Sequence, residues 1–164
     1  MARAGLSRSA FYQYFNDLHD MMRVMLDGLR DEILTAAGPW FTGEGDPIPL
    51  LHESLEGLVK VCYKQGPFLK AIADASTSDE TLEKAWKAFL KVFDDAVAAR
   101  IEYHQSLGLI PPFPAFPMAV AFNRMDAYLF IHGFGQRPRA DRDATLQTIK
   151  RVWLLTLYGR MDSE

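Results

Sequence analysis

Apolar residues recur every three or four positions along almost the whole chain, and this period limits the fold more than any other feature of the sequence. A helix turns once per ~3.6 residues, so such spacing gathers side chains on one face, whereas a half-buried strand alternates from residue to residue. Leu18, Met21, Met25, Leu29, Ile33 and Ala36 form one stripe, opened by Asn16 and Asp17 as caps and closed by Gly38-Pro39. Gly43, Gly45, Pro47 and Pro49 then mark a loop. Leu51, Leu55, Leu58 and Cys62 repeat at helical spacing up to a predicted break at Gly66-Pro67, and a short helix follows over about 68–75. Ser78 and Asp79 are caps for a long helix over about 80–107, striped by Leu82, Trp86, Phe89, Phe93, Val97 and Ile101 and closing at Gly108. A stiff proline-rich connector at 111–117 leads to two last helices, about 116–134 and 141–159, separated by Gly133, Gly135 and Pro138. No stretch alternates with period two and no repeat is visible, so the predicted fold is all-α.

Composition narrows the function classes. A chain of 164 residues, 49% apolar and 24% charged, has room for a full core and reads as one globular unit. Its net charge of −3 argues against non-specific nucleic-acid binding by the body of the protein, so any DNA affinity is expected to be local. Cys62 is the sole cysteine, which leaves no internal disulfide and no multi-thiolate metal site. Neither a membrane-length apolar run nor a secretory leader is present, so the expected location is cytoplasmic.

The two last helices carry more apolar surface than one core needs. Met118, Phe122, Met125 and Leu129 mark one face of the first, and Ala119, Asn123, Asp126 and Phe130 another. The second has Leu146, Ile149, Val152, Trp153, Leu155, Thr156, Leu157 and Tyr158, apolar around much of its girth. A helix apolar on two sides is buried on two sides, so one side is expected to face its own core and the other a second copy of the chain.

The start of the chain points elsewhere. Residues 5–15 read Gly-Leu-Ser-Arg-Ser-Ala-Phe-Tyr-Gln-Tyr-Phe, and the first fifteen residues hold two arginines and no acid in an otherwise acidic protein. Gly5 supplies a turn, and Ser7 caps the following helix by accepting from its free amides. Ser9 and Ala10 are small enough for close approach to a groove floor, while Arg8, Tyr12, Gln13 and Tyr14 offer donors. Phe11 and Phe15 read as core.

With this motif the chain resembles the TetR family of bacterial transcriptional regulators. Its later part is similar to the EthR-like (ethionamide-monooxygenase repressor-like) branch through Trp86, Phe122-Asn123-Arg124-Met125-Asp126, Phe134 with Gln136 before Pro138, and Val152-Trp153-Leu154-Leu155-Thr156-Leu157-Tyr158-Gly159. The resemblance covers most of the chain and is weakest over about 38–76. It implies a TetR-type helical ligand-binding and dimerisation domain over 18–164, preceded at 1–17 by a partial helix-turn-helix. It also implies a homodimer through the helices at about 116–134 and 141–159. Operator DNA would be contacted by Ser7, Arg8, Ser9, Tyr12, Gln13 and Tyr14. A hydrophobic small-molecule effector would be held by Leu58, Cys62, Trp86, Leu90, Phe93, Val97, Asn123, Asp126, Ile131 and Trp153. Its binding would re-space the recognition helices and release a palindromic operator, the behaviour of a repressor.

Two departures from the family pattern stand out. Leu18, followed by His19, stands where members carry a phosphate-gripping lysine. The family's first helix and most of its second have no counterpart before Gly5, and a helix of two turns is unstable alone, so the chain as written is not expected to hold an operator by itself. The alternative reading is a helical small-molecule-binding or interaction module without DNA binding.

Other chemistry finds little footing. Asn123 and Asp126, three apart on an otherwise apolar helix, are polar handles for a ligand amide or carbonyl; the alternatives are that they bond each other's neighbours, or that Arg124 pairs across the dimer interface. Cys62 reads as a small buried hydrophobe. His19, His52, His104 and His132 are scattered without metal-ligand spacing, no phosphate loop is present, and no nucleophile, base or paired-carboxylate constellation appears. No cofactor, metal or catalytic activity is therefore expected.

Overall fold

A computed structural model describes residues 18–162. They form five α-helices and one π-helical turn: α1 (Leu18–Thr42), α2 (Pro47–Ala75), α3 (Glu80–Ser106), α4 (Ala115–Leu129), the π-turn (Phe130–Phe134) and α5 (Arg142–Tyr158). No strand occurs among the described residues. α2 runs through the middle, packed against α1, α3, α5 and the π-turn, while α4 lies on α3 and α5.

The helix starts follow from capping chemistry. Asp46 accepts from the Ile48 amide at 3.0 Å ahead of Pro47, Asp79 from the Leu82 amide at 3.0 Å, and Asp141 from the Ala144 amide at 2.7 Å. Two of the ends also match expectation, because Gly108 (φ +72°) and Gly159 (φ +70°) take the left-handed conformation that a helix exit requires.

Two predicted breaks are not breaks. α1 continues through Pro39 to Thr42, and the reason lies in α2. Proline disturbs the hydrogen-bond ladder around it, and here the Ser54 hydroxyl enters that ladder, accepting from the Trp40 amide (2.8 Å) and donating to the Ala37 carbonyl (3.0 Å). α2 likewise passes straight through Gly66-Pro67. Its buried stripe of Leu55, Val59, Cys62, Gly66, Leu69 and Ile72 keeps helical spacing across the proline, so tertiary burial outweighs the lost bond. The stripe expected on α1 also shifts. Met22, Leu26, Leu29, Ile33, Ala37 and Trp40 are buried, whereas Leu18 and Met25 are exposed. Adjacent apolar pairs such as Met21-Met22 allow either register, and the well-packed Ile33–Trp40 end selects one.

The last predicted difference is at 130–134, where an α-helix is expected and a π-turn is found. Gly66 of α2 lies directly beneath it, and a β-carbon there would sit 2.5 Å from the Phe134 carbonyl oxygen and 2.8 Å from the Phe134 β-carbon. Gly135 closes the contact from the other side, 2.9 Å in the same sense from the Gly66 carbonyl oxygen. Tyr63 packs edge-on against Phe134, with ring centroids 5.0 Å apart. The Lys150 ammonium, almost wholly buried, reaches Glu56 at 2.6 Å and ties α5 to α2.

Gly66→Ala should therefore destabilise the protein by about 1–3 kcal/mol, as overpacking against a fixed backbone does. Gly28→Ala, at an exposed site in α1 with nothing within 4 Å of the added carbon, should stabilise by roughly 0.5–1 kcal/mol. Urea midpoints of the two variants should move in opposite directions from the parent; a common direction would remove the steric explanation.

Candidate ligand cavity

Between α1, α2, α3, α4 and the π-turn lies an almost wholly apolar cavity of about 90 Å³. A water needs roughly 10–15 Å³, so this space is several waters large yet offers water little to bind. Leu58, Cys62, Trp86, Leu90, Phe93, Val97, Asn123, Ile131 and Trp153, all expected at an effector site, line it together. Asp126 does not line it and sits just behind the wall, buried and bonded to Trp153. Ser7, Arg8, Ser9, Tyr12, Gln13 and Tyr14 lie outside the described residues.

The wall also contains residues that sequence reasoning missed. Ile33, Ala37, Trp40 and Phe41 come from the end of α1, and Leu51, Ser54, Leu55 and Leu69 from α2. The missed signal was Trp40, an aromatic just beyond the Gly38-Pro39 pair that reads as a helix end. Its ring stands edge-on to Trp153 and to His104, each with centroids 5.8 Å apart. Phe122 stacks on Trp153 at 4.2 Å and so supports the wall from behind. Phe130 and Ile131 enter from the π-turn.

Most polar groups at the cavity are hydrogen-bonded within the protein. Trp40 Nε1 donates to the Tyr158 hydroxyl at 2.8 Å, and that hydroxyl lies 2.8 Å from His104 Nδ1. Burial, with a smaller contribution from Arg100, pushes His104 down to about 4, so the ring is neutral at pH 7. Burial pushes Tyr158 up to about 12, so it keeps its proton and shares a hydrogen bond with His104. Asn123 Nδ2 donates to Asp94 Oδ1 at 2.9 Å, and Arg124 grips the same buried carboxylate at 2.8 and 3.2 Å. Arg124 is thus paired within its own chain, and Asn123 is bonded to a neighbouring group, one of the arrangements the sequence allowed. Burial raises the Cys62 thiol well above its ordinary range, with Asp126 adding to the effect, so Cys62 is a protonated apolar contact.

Asp126 is the exception to this satisfied network. Its Oδ2 accepts from Trp153 Nε1 at 3.1 Å, but its Oδ1 is buried and has no partner. Burial pushes the carboxyl up to about 8, against a smaller lowering by the Trp153 N–H. The unfolded chain would release this proton near the ordinary ~3.9, so over the interval between the two values the folded state holds more protons. Stability from this group is therefore full below about pH 4 and falls by up to roughly 1.4 kcal/mol per pH unit as pH rises toward 8. Asp126→Asn should flatten that slope, leaving the variant more stable than the parent at pH 8 and little changed at pH 4. Thermal melts across that range check it, and parallel slopes would contradict it.

Comparison with known proteins places this architecture. The family described as "Transcriptional regulator EthR, C-terminal domain" matches residues 51–159. The HTH-type transcriptional regulator EthR of Mycobacterium tuberculosis (strain ATCC 25618 / H37Rv) is 28% identical over 171 residues, covering 95% of this chain and 74% of that protein. The regulator of the same name from Mycolicibacterium smegmatis is 22% identical, covering 96% of this chain and 74% of its own length. The crystal structure of a putative TetR-family transcriptional regulator from Syntrophomonas wolfei superposes with a TM-score of 0.72 at 16% identity, covering 92% of this chain and 78% of that one, and shares the fold. The helical order, the matched span and the agreement with these regulators establish that the chain belongs to the EthR family of TetR-type transcriptional regulators.

Proposed function

We propose that this regulator is ligand-responsive: an apolar small molecule fills the cavity, changes the set of α1, and lowers affinity for an operator, so that the protein acts as a repressor. The observation that carries this reading is the composition of the wall. α1 follows directly on residues 5–15, whose resemblance to a recognition helix assigns operator contact to Ser7, Arg8, Ser9, Tyr12, Gln13 and Tyr14, and the same helix lends Ile33, Ala37, Trp40 and Phe41 to the cavity. An occupant that favours one placement of α1 shifts the population toward it, and couplings of this kind are typically ~1–3 kcal/mol.

The division into a partial helix-turn-helix at 1–17 and a ligand-binding and dimerisation unit at 18–164 belongs to the same proposal. So does the homodimer. α5 buries Ile149, Lys150, Trp153, Leu154 and Leu157 against its own chain and leaves Leu155 exposed, while α4 presents Phe116 and Tyr128 to solvent. These apolar groups on neighbouring helices suit a two-fold contact between copies.

Hexan-1-ol at about ten times its Kd should raise Tm by roughly 2–4 °C, and Leu58→Trp, which fills the cavity, should abolish the shift. A version of the chain carrying the family's first two helices ahead of Gly5 should retard DNA flanking the protein's own gene in a gel where the 164 residues alone do not, and retardation should weaken as a cavity ligand is added. Ligand binding without any DNA retardation by the extended version would instead favour a helical binding module. Light scattering should give twice the 18.6 kDa chain mass, reduced to the single mass by Leu155→Glu.

A further inference from the structure

Three helix ends meet behind one wall of the cavity, and a single hydroxyl joins them. Trp40 lies within the last three residues of α1, His104 within the last three of α3, and Tyr158 is the last residue of α5. The Tyr158 hydroxyl accepts from Trp40 Nε1 at 2.8 Å and lies 2.8 Å from His104 Nδ1. Trp40 lines the cavity whereas Tyr158 and His104 do not, so these two stand behind the indole as the cavity sees it. The main chain of Trp40 is held as well, its amide donating to the Ser54 hydroxyl at 2.8 Å. Edge-on contacts with Trp153 and His104 fix the tilt of the ring. Trp86, also in the wall, is half-buried, and its N–H makes no hydrogen bond among the described residues. The wall therefore has one firm end, at Trp40. Firmness matters because the void of about 90 Å³ is smaller than the ~150 Å³ that holds a benzene, so a larger occupant must move part of its wall.

We infer that Tyr158 is a specificity-determining residue: its hydroxyl holds the Trp40 indole as a fixed stop and so sets the length of apolar ligand that the cavity accepts. The inference rests on the reading of the cavity as the effector site. Tyr158 acts through Trp40 and does not line the cavity itself, so its role is one of positioning. The hydroxyl oxygen is a spacer between the indole and the His104 ring. Remove it, and the Trp40 N–H is left buried without a partner, which is costly. The space the oxygen filled lies on the side away from the cavity, with the His104 ring across it, so the indole can retreat there. A neutral imidazole offers an acceptor nitrogen to draw it. Such a retreat deepens the cavity at the α1 end. With the oxygen in place, each methylene that reaches past the stop must displace a ring bonded at both its main chain and its side chain.

The test titrates straight-chain alcohols, from butan-1-ol to decan-1-ol, by calorimetry. The proteins are the parent, Tyr158→Phe, Trp40→Phe, the double variant and Asp141→Ala. In the parent, Kd should fall by about fourfold for each buried methylene and stop falling at a limiting length. In Tyr158→Phe the limit should move out by about one or two carbons, so that the first alcohol beyond the parent's limit gains roughly threefold or more relative to butan-1-ol. Butan-1-ol itself should bind the parent and this variant within about twofold, which certifies the fold. Trp40→Phe cuts the same bond from the other side and should also move the limit, so the proposal stays open to refutation if Tyr158→Phe does not fold. Adding Tyr158→Phe to Trp40→Phe should move it no further. Asp141→Ala removes the cap of α5; it should lower Tm and keep the parent's limit. An unchanged limit in either single variant, a further shift in the double variant, or the same shift in Asp141→Ala would overturn the role of Tyr158 while leaving the cavity reading intact. Failure of every alcohol to bind the parent would overturn the cavity reading and this role with it.

Discussion

The backbone of α2 meets the backbone of the π-turn at Gly66, with no room for a side chain between them, and much of the architecture depends on that contact. Because α2 is also the helix against which α1, α3 and α5 pack, the turn is referenced to the centre of the molecule. Phe130 and Ile131 are carried on that turn, so their position in the cavity wall is set by the approach of two main chains. π-Turns inside helices are rare and gather at functional sites, where they re-aim side chains that a regular helix would point elsewhere. Here the turn closes one side of a cavity that the other helices leave open.

The all-α class and the stripes of α2 and α3 were legible because burial at helical spacing leaves a direct mark on sequence. The cavity was legible in a different way. Leu58, Trp86, Phe93 and Trp153 were placed by resemblance to a family, and periodicity alone would have assigned the same residues to ordinary core. What was not legible has a common physical cause, since each case is a tertiary contact overruling a local signal. Pro39 and Pro67 read as stops, yet Ser54 completes one ladder and a continuous buried stripe carries the other helix across. Trp40 was hidden behind the first of these. The π-turn had no signal beyond Gly133 and Gly135, because the residue that requires it, Gly66, is far away in sequence. The set-back position of Asp126 was not legible either, since a helical wheel places it on the cavity face and only the Trp153 indole draws its carboxyl behind the wall.

The cavity favours apolar contents for a reason that follows from its partners. Nearly every polar atom at its edge is bonded to protein: tryptophan to tyrosine, serine to main chain, asparagine to aspartate. Water entering such a space loses more hydrogen bonds than it recovers, so the void is open to apolar matter and closed to solvent. The same low polarity holds His104 neutral and Asp126 protonated, although a histidine near the surface would gain a proton and an aspartate would lose one at the same pH. Packing and protonation are therefore two expressions of one environment.

The insertion of Ser54 at Pro39 has a mechanical side. The hydroxyl holds the Trp40 amide and the Ala37 carbonyl together, and the Trp40 indole is tied to Tyr158, so the end of α1 cannot slide along its axis without breaking several bonds at once. From Trp40 back to Leu18 the arm is roughly 33 Å at ~1.5 Å per residue. A swing of about 5° at the pinned end then carries the far end through about 3 Å, comparable to the spacing of adjacent base pairs. By geometry alone, any sub-ångström adjustment in the direction of α1 at Ser54 would be multiplied along its length before it reached Leu18.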